Sequence, residues 1–184
     1  MVSSVAVEKM KNRIVNFETI ARVDIIKGKS FADIKTLSDM LIDNSNRKLS
    51  DKSTSTRYED TYCPDNEIVD QIIDEMRADF KSVTGHDIEC IGYWGHIHEY
   101  NMSTNTHNHG DAYVSAVLYL SVPKGSGEIT FIPGLNQYNT SMYRTSFPPE
   151  ESSYYMFPGY LDHCVSRHKS TDKRVSISFN FEKV

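Results

Sequence analysis

Residues 105–123 read NTHNHGDAYVSAVLYLSVP, with His107, His109 and Asp111 crowded at the entrance to a run of apolar and β-branched residues. Side chains alternate across a strand, so a regular strand places His109, Asp111, Tyr113, Ser115, Val117 and Tyr119 on one side. Ala112, Val114, Ala116, Leu118 and Leu120 then form the other side, which is wholly apolar and predicts packing beneath a helix. The polar cluster reads either as a set of metal ligands or as polar residues at a strand end. What the rest of the chain places opposite it decides between the two.

The C-terminal segment RVSISFNFE, 174–182, divides in the same way. Val175, Ile177, Phe179 and Phe181 make a core face, and Arg174, Ser176, Ser178 and Asn180 a polar one. That polar face suits the solvent side of a half-exposed sheet, or the wet interior of a barrel that binds an anion. Between the two strands, His163 follows a Phe-Pro-Gly turn and stands eleven positions before Arg174. Two histidines and a carboxylate, two of them spaced by one residue and the third distant, can hold one face of a six-coordinate ion. Such a set leaves positions open, which suits iron(II) chemistry and not a closed structural zinc site. The short motif alone carries little information, because seven histidines and 25 acidic residues among 184 produce about one H-x-[DE] by chance.

The 184 residues, 39% hydrophobic and 11% aromatic, suffice for one sizeable core. Twenty Lys and Arg against 25 Asp and Glu give a formal net charge of −5, with no dense basic run, so nucleic acid is not the expected partner. Cys63, Cys90 and Cys164 are odd in number and form no C-x-x-C pair, which argues against a disulfide framework and predicts a reducing compartment. The N-terminal MVSSVAVEKMKNR has too short an apolar run for a signal peptide, and no membrane span is visible. The expectation is a soluble cytoplasmic protein.

Helical signals precede the strands. Residues 15–27 could form an outer strand, and Ser30 could cap a helix to about Asp43 with Phe31, Ile34, Leu37 and Leu41 on its buried face. Residues 44–61 are polar and rich in Ser and Thr and read as a loop. Pro64 and Asp65 or Asn66 open a second helix, whose stripe of Ile68, Val69, Ile72, Ile73, Met76, Phe80 and Val83 ends at Gly85. From Ile88 onward period two takes over, predicting strands at 88–100, 112–122, 127–132, 153–157, 162–168 and 174–182. The sum predicts a mainly β protein, a curled antiparallel sandwich with helices covering one sheet.

Three blocks, HGDAYVSAVLYLSVP, MFPGYLDHCV and RVSISFN, resemble those of iron(II)- and 2-oxoglutarate-dependent oxygenases. The closest group reads approximately H-x-H/D, then S-G-V-Y-Y-L-x-V-P, F-P-S-W-L-x-H-x-V and R-I-S-I-S-F-N. The resemblance spans about residues 90–182. It implies a double-stranded β-helix, or jelly roll, as a single domain over 1–184 with helical support at 28–86 and a jelly-roll core at 87–183. It further implies iron(II), 2-oxoglutarate and molecular oxygen as cofactor and cosubstrates, and a hydroxylase that yields succinate while oxidising a protein side chain or small molecule. Matched position to position, His109, Asp111 and His163 are the metal ligands. Arg174 would pair with the distal carboxylate of 2-oxoglutarate, with Ser176 and Tyr119 adding hydroxyls. His107 competes, because His107 and His109 are also spaced by two; counting back from Ser115 favours His109 and Asp111 and leaves His107 on the substrate side.

Other candidates stand further out. Tyr113, and Tyr138, Tyr143 and Arg144 in the 133–151 loop, are possible substrate contacts, although that loop also reads as ordinary surface. His96 and His98 in GYWGHIHEY read as a hydrogen-bonded strand face, and Cys164 as a small apolar residue turned away from the ion. A cupin-like metalloenzyme without 2-oxoglutarate and a non-catalytic jelly-roll binding module share parts of the pattern. The oligomeric state and the substrate are not legible.

Overall fold

The computed structural model describes residues 23–44, 60–61, 63–132 and 144–184. The first strand, β1, is Ile26–Lys29 and precedes helix α1, Ile34–Asn44. Helix α1 starts later than the sequence predicts, because the carboxylate of Asp33 accepts from the Thr36 backbone and hydroxyl and so caps it. Ser30 instead donates to Glu75, 2.5 Å away, and Phe31, expected in the core, is 81% exposed. Leu37 and Leu41 are buried as expected. Of the expected outer strand at 15–27, residues 15–22 lie outside the described residues.

Helix α2, Glu67–Thr84, matches its sequence signals closely. Asn66 Oδ1 accepts from the Ile68 and Val69 amides, a cap worth about 1 kcal/mol, and Gly85 closes the helix in the left-handed region with φ 75°. Val69, Ile72, Met76 and Phe80 are buried, whereas Val83, at the frayed end of the stripe, is 64% exposed.

The strands form two antiparallel sheets. β2 (Asp60–Thr61), β3 (Ile88–His98), β5 (Val114–Ser121), β8 (Ser153–Pro158) and β10 (Arg174–Lys183) join β1 in the order β1-β8-β5-β10-β3-β2. β4 (Thr104–His107), β6 (Ile129–Ile132), β7 (Thr145–Phe147) and β9 (Asp162–Val165) form the second sheet in the order β4-β9-β6-β7. Three strands were not predicted. β2 falls within the expected 44–61 loop, whose residues 45–59 lie outside the described residues, β4 falls between the expected strands at 88–100 and 112–122, and β7 falls within the expected 133–151 loop, whose residues 133–143 lie outside the described residues. Each of the three is four residues or shorter, too brief for alternation to register.

The two faces of β5 and β10 separate two cores. Val114, Ala116, Leu118 and Leu120 pack with Val175, Ile177, Phe179 and Phe181 against Leu37, Leu41, Val69, Ile72 and Met76 of the helices. Burying each large side chain contributes about 1.5–3 kcal/mol. The opposite faces contribute Val117, Tyr119, Tyr155 and Phe157 to a second cluster with Ile129, Phe131 and Leu161 of the smaller sheet and its approach. The polar side of β10 is thus an interior surface, since Arg174 and Ser176 are each 1% exposed. This is the double-stranded β-helix that the sequence predicts. No helix among the described residues is long and apolar enough to cross a membrane.

Candidate active site

The corner at 108–112 departs from a regular strand. His109 N–H donates to Gly159 O at 2.8 Å, Gly110 N–H to Asn108 Oδ1 at 3.1 Å, and Ala112 N–H to His109 O at 3.2 Å. Gly110 takes φ 57°, where a residue without a Cβ is unstrained. Gly159 meets the corner so closely that a Cβ on it would lie 2.0 Å from Ala112 O. The turn breaks the alternation on which His109, Asp111 and Tyr113 were placed on one face. Asp111 is exposed in this turn.

The imidazoles that converge are His107, His109 and His163, whose ligand nitrogens all lie within 4.8 Å of one another. Asp111, expected as a ligand, is not in this group, and His107 takes its place. His107 and His163 are direct partners across β4 and β9, and their ring centroids are 4.2 Å apart. His109 and His163 stack at 5.1 Å with Nε2 atoms 3.3 Å apart. Trp94 stacks on the other side of His109 at 5.5 Å, and Phe157 meets the edge of His163 at 4.7 Å.

Two of the tautomers are set by carbonyls. His163 Nδ1 donates to Leu161 O at 2.9 Å and His107 Nδ1 to Asn105 O at 2.8 Å. In a neutral ring this leaves the lone pair on Nε2, the form in which histidine binds a metal. Three converging imidazole nitrogens, with His163 only 4% exposed, fit a transition-metal ion such as iron(II).

The same cavity is lined by His107, His163, His98, Thr104, Arg174 and Ser176, among others. Arg174 is buried, and among the described residues no carboxylate pairs with it; its Nε has no hydrogen-bond partner. NH1 donates to His98 Nδ1 at 3.0 Å and reaches Ser176 Oγ at 3.4 Å. The guanidinium lies 5.0 Å from the centre of the Tyr119 ring, and Tyr119 is the register partner of Ser176. Burial pushes the Tyr119 phenol up to about 12, so it stays a neutral donor. Its hydroxyl interacts with the neighbouring Arg174 guanidinium without a hydrogen bond of full geometry. A buried cation beside idle donors is costly without an anion, so this end of the cavity suits a carboxylate.

Arg174, Ser176 and Tyr119 are therefore together, as the resemblance leads one to expect, while among the described substrate-side candidates His107 alone lines the cavity. Tyr113 packs edge-on to Phe80, centroids 6.2 Å apart, and does not line the cavity. Arg144 is exposed just before β7, and Tyr138 and Tyr143 lie outside the described residues. Trp94, His98, Thr104 and Gly159 were not assigned to the site from sequence. For His98 the signal was available, since the polar residues of GYWGHIH alternate along one face, but its partner is set by strand register.

This fold and the grouping of side chains within it resemble those of the iron(II)- and 2-oxoglutarate-dependent oxygenase superfamily. Within it, residues 92–180 match the family described as "Putative 2OG-Fe(II) oxygenase". None of the curated proteins compared with it matches the sequence. Among solved structures, the non-heme α-ketoglutarate-dependent epimerase SnoN from nogalamycin biosynthesis superposes with a TM-score of 0.66 at 15% identity, covering 98% of this chain and 83% of its own. A Pseudomonas putida prolyl-4-hydroxylase gives 0.56 at 16% identity, covering 89% and 95%. HygX from Streptomyces hygroscopicus, solved with iron bound, gives 0.60 at 11% identity, covering 86% and 82%. At such identities the likeness speaks to the fold alone.

Proposed function

We propose that the protein is a hydroxylase that couples oxidative decarboxylation of 2-oxoglutarate to succinate with oxidation of a protein side chain or small molecule. The observation that carries this reading is the buried, carboxylate-free Arg174 in one cavity with two of the three converging histidines. His107, His109 and His163 would hold iron(II), with Asp111 outside the set. When bound, iron(II) supplies the activation of molecular oxygen that 2-oxoglutarate decarboxylation drives.

The chain's own residues do the positioning. Three neutral imidazoles leave the ion's full double charge to attract an anionic ligand. Arg174 would fork onto the distal carboxylate, with the Ser176 and Tyr119 hydroxyls donating beside it. Phe157, Val117 and Ile129 line the same cavity and would give it an apolar wall against bulk water. Hydroxylation balances as substrate, oxygen and 2-oxoglutarate giving hydroxylated substrate, succinate and carbon dioxide. Three unpaired cysteines support a cytoplasmic setting.

The test is anaerobic reconstitution with iron(II) and 2-oxoglutarate, followed by oxygen. A weak visible absorption from the chelate and subsequent succinate support the reading. Iron binding with neither the absorption nor succinate overturns it and favours an enzyme that does not use 2-oxoglutarate.

A further inference from the structure

We propose that His98 is a positioning residue for the cosubstrate, orienting Arg174 without neutralising it; this rests on the reading of Arg174 given above. His98 is the direct register partner of Arg174 across β3 and β10, and both are 1% exposed. Arginine has donors only, so the 3.0 Å contact between NH1 and Nδ1 makes Nδ1 an acceptor with its lone pair toward the guanidinium. The ring proton must then sit on Nε2, which donates to Thr104 Oγ1 at 2.9 Å, itself buried. The chain Arg174–His98–Thr104 runs from the larger sheet into β4, the strand that carries His107.

The choice of partner matters chemically. Buried arginines usually meet a carboxylate, which fixes the guanidinium but cancels its charge. A neutral imidazole acceptor fixes one N–H direction and leaves the full positive charge for an incoming anion. Burial first, then the neighbouring Arg174, His96 and His168, hold the His98 pKa down at about 2, so the ring is neutral at any working pH. The geometry thus combines a rigid fork with an uncancelled charge, which suits a 2-oxo acid bearing a second carboxylate.

The experiment titrates 2-oxoglutarate into the iron(II)-loaded protein anaerobically, following chelate absorbance, for wild type, His98→Leu, His98→Asn and His98→Asp, with iron content measured in each. A hydrogen bond to a charged group sets the scale: His98→Leu should weaken 2-oxoglutarate binding about tenfold or more. His98→Asn, whose carboxamide oxygen can take the place of Nδ1, should stay within about threefold of wild type on the same scale. His98→Asp should bind least, because its carboxylate pairs with Arg174. Iron content should stay at the wild-type level throughout. Leu matching wild type, or Asn as weak as Leu, overturns the positioning role while leaving the oxygenase reading intact; if Leu fails to fold, Asn and Asp with equal affinities do the same. Wild type that takes up iron yet binds no 2-oxoglutarate overturns both.

Discussion

His107 and His163 stand opposite each other in the β4–β9 ladder with ring centroids 4.2 Å apart, which makes them a preformed pair. Their Nδ1 atoms are tied to carbonyls, so both present Nε2 lone pairs toward His109. Substituting His107→Ala should therefore reduce iron(II) content by at least about tenfold, as loss of a ligand does, whereas Asp111→Ala should leave it near wild type. Metal analysis after desalting checks both. Loss of iron in Asp111→Ala with retention in His107→Ala would restore the aspartate as the ligand.

Arg174→Ala should weaken 2-oxoglutarate by about 2–5 kcal/mol, the cost of deleting one partner of a buried charge pair. Iron content should be nearly unchanged, since Arg174 is not one of the three residues whose nitrogens converge. Equal cosubstrate affinity in that variant, measured calorimetrically, would remove Arg174 from its role.

Gly159 supplies the carbonyl that receives the His109 amide, and its own Cα passes directly under Ala112 O. Gly159→Ala should cost about 1–3 kcal/mol of stability through overpacking and should lower iron affinity by shifting the corner. Thermal melts with and without iron(II) separate the two effects. An unchanged melt and unchanged metal content would show that the corner is free to move.

Acid should destabilise the fold through His98. Its folded pKa lies near 2, below its unfolded value near 6.5, so between these values the unfolded chain binds a proton that the folded chain excludes. The contribution is complete above pH 6.5 and is lost as pH falls toward 2, with a slope of at most about 1.4 kcal/mol per pH unit. His98→Asn, with nothing to titrate, should flatten this limb between pH 6.5 and 4 in urea unfolding. Parallel curves for wild type and variant would show that His98 is charged or exposed in the folded protein.

Local chemistry was legible in the sequence wherever it acts over a few residues. The Asn66 cap, the Gly85 stop and the apolar stripe between them specify α2 because helix bonds reach only four residues along the chain. Alternation in SISFNFE and SAVLYLS likewise specified two-faced strands, with Arg174, Ser176 and Tyr119 on the inner side. Short-range signals also misled. Ser30 and Asp33 are both competent caps, and only the position of Glu75 on α2 decides that Ser30 is drawn away.

What tertiary structure alone decided is which side chains meet. A sequence written H-N-H-G-D offers two pairs at the same spacing, and alternation counted back from Ser115 chooses His109 with Asp111. The left-handed turn at Gly110, held by Gly159, ends that alternation, and the β4–β9 register then brings His107 to His163. The meeting of His98 with Arg174 is of the same kind, since the two are 76 residues apart in the chain. Composition and periodicity determine which faces are buried, because burial depends on the kind of residue. Register determines which polar groups converge, because it is set by hydrogen bonds between strands distant in sequence.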